Sequence, residues 1–369
     1  MLTWIEISKQ NLIHNIKEFK KIIGKDVLLA PAIKGNAYGH GLEICAEIFS
    51  ENGANWLSVF SLEDLVRIRK INTEIPVLLL GYVELDELEK AVALNPKFVV
   101  WNIETLETLG KIAEKQKKEI CVHLKLETGN NRYGIYPKDI DKYVKIFKKI
   151  PQLKLEGALS HFANIEDTTD HSYAEMQLQN FINFINLIEN KGFKILIKHF
   201  SNSAATILWK KANFNLVRTG ISNYGLWPSQ EVFKLINLKS VMTWKTIISQ
   251  IKEIPANEYI GYGCSYKTTR KTKMAVLPVG YYDGYDRKLS NKGYVLIKGK
   301  RAKILGRICM NVTMVDVTDI KDVKLEETVV LLGKQGNDEI SAEEIADLTS
   351  TINYEVTTRI NERIERKVV

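Results

Sequence analysis

The sequence predicts an α/β fold in two parts, an N-terminal (β/α)8 TIM barrel over residues 1–235 and a mostly β domain over residues 236–369. Three observations predict it. From Val27 onward, short apolar β-branched runs alternate with longer segments of helical periodicity, the pattern of β/α units around a parallel sheet. Eight such units are complete near Gly220, which is the size of one barrel. Beyond about residue 235 the runs turn strand-like and are separated by Gly-, Asn- and Lys-rich turns.

In chain order the eight candidate strands are VLLAPAI, NWLSVF, IPVLLLG, KFVVWN, EICVHLKL, LKLEGALSHF, ILIKHFS and NLVRTG. Segments such as SLEDLVRIRKI, ELEKAVAL, ETLETLGKIAEKQKK, PKDIDKYVKIFKKI and SYAEMQLQNFINFINLIENKG lie between them as helices. A doubly wound open sheet could hold the same strands, but no glycine-rich dinucleotide fingerprint follows the first of them. In the last third, VMTWKTIISQI, KMAVLPVG, GYVLIKGKRAKILGRI, VTMVDVTDI and ETVVLLG read as strands. One helix, SAEEIADLTS, opens at a Ser341 cap with Glu344 three residues on.

At 369 residues the chain exceeds what one small domain needs. Its formal charge is +8, but the lysines are spread through the chain and interleaved with glutamates, so the excess reads as a solvated basic surface. No aromatic-interleaved basic tract or zinc spacing points to nucleic acid. The opening MLTWIEISKQNLIHNIKEF carries charges where a signal peptide needs an apolar core, and no apolar run reaches membrane-spanning length. A cytoplasmic protein without a membrane partner is expected. Cys45, Cys121, Cys264 and Cys309 are far apart and form no CxxC pair, which fits a reducing compartment and suggests no metal site.

The residues with chemistry collect at the C-terminal ends of the predicted strands, where barrels place their active sites. Lys34 ends the first strand and opens into GNAYGHG. Lys125 lies near the end of the fifth strand with Arg132 in its loop, His161 ends the sixth, Ser203 follows the seventh, and Arg218 and Gly220 close the eighth. Each alone has a structural explanation: a solvated rim lysine, a satisfied half-buried histidine, a salt-bridged turn, glycines that only shape a loop. Together, a lysine, a histidine, an arginine and a Ser-Asn-Ser turn at one rim suggest a phosphate-bearing cofactor with a reactive carbonyl. Backbone N–H groups around Gly220 and Ile221 would favour the phosphate.

AIKGNAYGHG, ANWLSVF, KLETGNNRYGI, LSHFA, HFSNSAA, LVRTGISNYGL, GYGCSY, LPVGYYDGYDR, GRICMN and TINYEV carry more than spacing. Through them the sequence closely resembles the alanine racemases, pyridoxal-phosphate enzymes of the barrel-fold type, over essentially the whole chain and in the family's order. The resemblance implies that pyridoxal 5'-phosphate is the cofactor, that Lys34 holds it as an aldimine and serves as one base, and that Tyr262 is the other. Tyr262 would come from the partner subunit of a homodimer with shared active sites. Tyr38, Ser203, Gly220, Ile221 and Tyr354 are implied to contact the cofactor phosphate. His161 would lie near the ring, Arg218 would face the pyridine nitrogen, and Arg132 and Met310 would hold the amino-acid substrate. Lys125 matches a position carbamylated in several relatives, where it orients the arginine corresponding to Arg132. The implied reaction interconverts L-alanine and D-alanine and supplies D-alanine for peptidoglycan synthesis.

The chemistry needs these residue types. An α-proton is very weakly acidic, so the cofactor must delocalise the developing charge while the protein orients and tunes it. Two bases on opposite faces need only small motions to invert a centre. A tyrosine in that role has an ordinary pKa near 10, so nearby positive charge, from His161 or Arg218, must favour its ionised form. An always-charged Arg218 would disfavour a proton on the ring nitrogen and so weaken the electron sink, limiting side reactions.

Three positions depart from the family pattern: Gly35, where alanine is more frequent, Asn130, where methionine is common, and Asn311, where aspartate is common. A serine or broad-specificity racemase of the same fold is the nearest alternative, and Tyr354 favours alanine over it. A non-catalytic pyridoxal-phosphate carrier would lack the second domain. A decarboxylase of similar architecture would show a cysteine motif near the C-terminus, and TINYEVTTRINERIERKVV has none.

Overall fold

A computed structural model describes residues 2–369. Packing divides the chain into two units, one of Leu12–Ala37 and Leu42–Lys239, the other of Met1–Asn11, Tyr38–Gly41 and Ser240–Val369.

The first unit is a parallel barrel. Its strands are β1 (Leu28–Leu29), β2 (Leu57–Val59), β3 (Val77–Leu79), β4 (Lys97–Val100), β5 (Ile120–Lys125), β6 (Leu153–Leu159), β7 (Ile197–His199) and β8 (Leu216–Val217). Strands β2 to β7 pair in sequence order, and β1 pairs with β8 in parallel. The ring closes through a parallel bridge between Ala32 and Ser58 on one side, and on the other through the Arg218 N–H donating to the Ser201 carbonyl at 3.1 Å. Each of the eight runs read from the sequence supplies one strand. They are nearly continuous in apolar residues because both faces are covered, by helices outside and by the barrel core inside. Ala30, Trp56, Leu78, Val99, Leu159 and Leu216 form one such core layer.

The covering helices follow their own local rules. Leu62–Ile71 starts where the Ser61 hydroxyl accepts from the Asp64 N–H at 3.1 Å, and Glu63 and Asp64 favour the positive end of its dipole. Ile140–Lys149 buries Ile140, Tyr143, Val144 and Phe147 on one face and ends on Lys148 and Lys149, the sign that suits a helix C-terminus.

The second unit is built on mostly antiparallel sheet, with Thr3–Ile7 and Arg366–Val368 paired in parallel. Its larger sheet runs Lys300–Lys303, Tyr294–Ile297, Thr328–Gln335, Met242–Ile247, Thr3–Ile7, Arg366–Val368, with Asp338–Ile340 also on Thr328–Gln335. Gln250–Ile254, Thr272–Leu277 and Thr313–Asp316 form a smaller one. The helix Ala342–Thr349 is capped as its sequence suggested, by the Ser341 hydroxyl accepting from the Glu344 N–H at 3.0 Å. The Glu344 carboxylate accepts from Arg301 at 3.0 Å.

One strand lies outside the sequence-based boundary, which gave residues 1–235 to the barrel. Thr3–Ile7 belongs to the larger sheet, where Ile5 pairs with Trp244 on one side and with Arg366 on the other. Ile5 and Ile7 are fully buried, so TWIEI has an inner apolar face, but its partners are more than two hundred residues away. Among the described residues no helix is long and apolar enough to cross a membrane.

Candidate active site

The chain beyond β1 makes an unusual turn. Gly35 (φ 60°, ψ 47°), Asn36 (φ 52°, ψ 48°) and Ala37 (φ 53°, ψ 50°) are all left-handed, and Tyr38 has φ 53°. The Ala37 N–H donates to the Ile33 carbonyl at 2.8 Å, closing a single left-handed helical turn. Each L-residue in that conformation costs roughly 1–2 kcal/mol, because Cβ approaches the following carbonyl. Gly35 has no Cβ and escapes the cost. The Asn36 side chain helps hold the turn, since its Oδ1 accepts from the Leu42 N–H at 2.8 Å at the start of the helix Leu42–Glu51. Strain of this kind persists where surrounding contacts over-determine it, and here it sets the direction in which Lys34 leaves the strand.

Lys34 is exposed on this chain, yet protein atoms crowd around its amine. Loss of hydration there lowers its pKa, and the Arg132 and Arg218 charges lower it further. Lys125, half-buried at the end of β5, is pulled down to about 7 by burial first and then by Arg218 and Arg132, with Glu127 opposing. His161 lies well below its ordinary value, through burial and the charges of Lys125, Arg218, Arg132 and Lys34. Lys34, Lys125, Arg132, His161 and Arg218 thus sense one another across a cation-rich rim suited to an anionic ligand. The loop carrying Arg132 is tied to the end of β6 by the Asn130 amide, which donates to the Phe162 carbonyl at 3.2 Å. Arg132 itself is exposed.

Arg218 is 7% exposed, and both of its terminal nitrogens are engaged. One terminal nitrogen donates to His199 Nδ1 and to the His199 carbonyl, each at 2.9 Å. The other donates to the Ser160 carbonyl at 2.7 Å and to the Phe200 carbonyl at 3.3 Å, with His161 Nδ1 at 3.4 Å. Burial draws its pKa down to about 9, which leaves it charged at neutral pH.

At the ends of β7 and β8 the Gly220 N–H donates to the Ser203 hydroxyl at 2.7 Å, leaving the hydroxyl proton free to point elsewhere. Ile221 begins a single helical turn, Ile221–Tyr224. Among the described residues the Ser201 and Ser222 hydroxyls are buried without a hydrogen-bond partner. Orphaned hydroxyls beside a free serine proton and the first N–H groups of a helical turn are a donor set that fits a phosphate ester.

The remaining predicted residues belong to the second unit. The rings of Tyr38 and Tyr354 lie 6.1 Å apart, so the structure brings these two together. Gly39 follows at a place where a Cβ would sit 2.0 Å from the Thr357 carbonyl oxygen, on the helix that carries Tyr354. Tyr262, on the turn Tyr262–Cys264, is 71% exposed, and Met310 is 54% exposed. Asn311 is exposed as well. Sequence reasoning missed His199, and behind it His123 and Glu156, which join Arg218 in a buried polar chain. The signal available was the spacing of His123 and Lys125, two apart on one strand and therefore on one face.

Residues 7–228 match the family model for the alanine racemase N-terminal domain, and residues 241–368 match that for the C-terminal domain. The chain is 40% identical to an alanine racemase of Leptospira interrogans over 375 aligned positions, covering 100% of this chain and 96% of the relative. It is also 40% identical to an alanine racemase of Halothermothrix orenii, at 99% and 96% coverage. Among solved structures, an alanine racemase of Clostridium difficile superposes with a TM-score of 0.94 at 33% identity, covering 100% of this chain and 96% of that one. One of Bacillus anthracis with bound L-Ala-P gives 0.94 at 31% identity, covering 100% and 95%.

Proposed function

The chain belongs to the alanine racemase family, and from that premise we propose that it interconverts L-alanine and D-alanine with pyridoxal 5'-phosphate as cofactor, as a cytoplasmic homodimer that provides D-alanine for peptidoglycan. The observation that carries the reading is the rim of the barrel, where Lys34, with its lowered pKa, stands among Arg132, Arg218 and His161. The orphaned Ser201 and Ser222 hydroxyls and the free Ser203 proton support a phosphate at the ends of β7 and β8. When bound, the cofactor supplies an electron sink for the substrate's α-carbon.

Every other step falls to the protein. Lys34 is assigned as the cofactor's attachment point and as the base at one face of the α-carbon. Loss of hydration first, and then the Arg132 and Arg218 charges, favour its neutral form, the one able to take a proton. Tyr262 is assigned to the opposite face. A catalytic phenol left 71% exposed on its own unit is supportive of donation into a second copy's site, and Met310, 54% exposed, is assigned with Arg132 to the amino-acid substrate. Ser203, Gly220, Ile221, Tyr38 and Tyr354 are assigned to the phosphate, Arg218 to the ring nitrogen, and His161 to the ring's surroundings.

Lys125 is assigned as a carbamate: the amine attacks carbon dioxide, a C–N bond forms, and one proton leaves to solvent. A lysine drawn to about 7 has the neutral amine this needs, and the product would set an anion beneath Arg132. Intact mass in bicarbonate should show the added carbon dioxide; an unmodified chain at high bicarbonate would remove the assignment.

The deciding experiment uses L-alanine and D-alanine separately in deuterated water, following optical rotation and α-proton exchange with the cofactor-loaded protein. Interconversion with deuterium uptake is expected in both directions. Cofactor bound without interconversion would sink the racemase reading, and serine turned over as fast as alanine would turn it toward the broad-specificity alternative.

A further inference from the structure

A barrel interior is ordinarily filled with branched apolar side chains. Here a hydrogen-bonded chain of ionisable groups runs through it from Arg218. His199 Nδ1 meets the Arg218 guanidinium at 2.9 Å, His199 Nε2 meets His123 Nδ1 at 2.8 Å, and His123 Nε2 meets Glu156 Oε2 at 3.0 Å. Glu156 Oε1 accepts from Lys97 at 2.8 Å. Both histidines are fully buried, whereas the Glu156 and Lys97 side chains retain 20% and 23% exposure.

The backbone is shaped around this chain. The β5–β6 register shifts between Val122 and His123, so that Val122 pairs with Leu155 and His123 with Gly157, leaving Glu156 as the extra residue of a bulge. Bulges re-aim a side chain. A Cβ at residue 157 would lie 2.3 Å from His123 Nδ1, so the ring is seated only because that residue is glycine. The Trp56 ring closes over His123 edge-on at 5.6 Å.

The chain has one direction. A guanidinium only donates and a carboxylate only accepts, while a neutral imidazole does one of each. Arg218 therefore makes His199 Nδ1 an acceptor, which puts the His199 proton on Nε2. That makes His123 Nδ1 an acceptor and puts its proton on Nε2, facing Glu156. Burial keeps both rings neutral. We propose that Glu156 is a positioning residue for the racemase reaction: acting through His123 and His199, it fixes the tautomer that gives Arg218 its Nδ1 acceptor and so holds the guanidinium in place. The consequence for turnover rests on the assignment of Arg218 to the ring nitrogen. The tautomers do not.

Glu156→Gln tests this because an amide can face either way. Lys97 only donates, so it claims the amide oxygen and leaves the NH2 toward His123 Nε2. The chain then inverts, His199 carries its proton on Nδ1, and a donor meets a donor at Arg218. Nitrogen-15 NMR of histidine-labelled, cofactor-free protein should show both rings as Nε2–H in the parent and as Nδ1–H in Glu156→Gln, with the Arg218 guanidinium protons exchanging faster. Adding Lys97→Met frees the amide oxygen for His123 and should restore the parent tautomers. In the loaded enzyme kcat should fall on the order of tenfold or more in Glu156→Gln, the scale of one charge-assisted hydrogen bond, with KM unchanged and recovery in the double variant. Parent tautomers other than Nε2–H, or tautomers and arginine exchange unmoved by Glu156→Gln, overturn the proposal. Inverted tautomers and a released Arg218 with unchanged turnover support the chain and overturn the assignment of Arg218 to the ring.

Discussion

The two units hold their functional side chains in opposite ways. In the barrel, the two terminal nitrogens of Arg218 are tied to carbonyls and to His199, and the Ser203 hydroxyl already accepts from Gly220. In the second unit Tyr262 and Met310 stand 71% and 54% exposed. The difference teaches that function and stability are coupled in the barrel and separable in the second unit. Substitutions can test that division directly.

Lys34→Ala should have the largest effect, removing racemisation and the visible absorbance of attached cofactor together. Residual turnover at a tenth of the parent rate would take Lys34 out of the mechanism. Tyr262→Phe should lower turnover by about 10²–10⁴-fold while cofactor absorbance persists. Because the side chain is exposed, unfolding free energy should stay within about 0.5 kcal/mol of the parent. A stability loss as large as that from a core substitution would break the comparison.

Arg218→Met should cost both activity and stability. It strands the Ser160, His199 and Phe200 carbonyls, and breaking a buried charged network costs about 3–5 kcal/mol; urea unfolding unchanged from the parent would show that the network does not stabilise the barrel. Gly35→Ala restores a Cβ at φ 60° and should destabilise by about 1–2 kcal/mol. Equal stability would mean that the turn relaxes.

The last effect is a slope with pH. Lys125 has a folded pKa of about 7 against an ordinary 10.5. Between those values the unfolded chain binds more protons, so in carbonate-free buffer stability should rise with pH across that window, and Lys125→Met should reduce the slope. An unaltered slope in Lys125→Met would mean that its amine is not held down by the fold.

The barrel was legible because each of its eight strands is a short apolar run bounded by helical periodicity, and the rim residues because a barrel exposes strand ends on one face. Less legible was anything set by distant pairing. TWIEI has no local turn to name its partner, and its strand was assigned to the wrong unit. The left-handed turn after Lys34 was hidden because Ala37 and Tyr38 carry no signal for it, and only Gly35 and Asn36 hint at positive φ. His123 and Glu156 escaped notice because a bulge and a glycine bring them together, and neither has a periodicity of its own. The assignments of Tyr262 and Met310 rest on resemblance, and the structure adds only their exposure.

The strand Thr3–Ile7 lies between Met242–Ile247 and Arg366–Val368. During synthesis it precedes one neighbour by more than two hundred residues and the other by more than three hundred. At 5–20 residues per second its two edges stay incompletely paired for roughly 20 to 70 s, long enough for the barrel segments between to be made and collapse. An apolar strand with free edges is a template for other chains. The growing chain thus carries an aggregation hazard in this strand that vanishes only when both neighbours have been made, and synthesis rate, more than native stability, sets how long a chaperone must cover it.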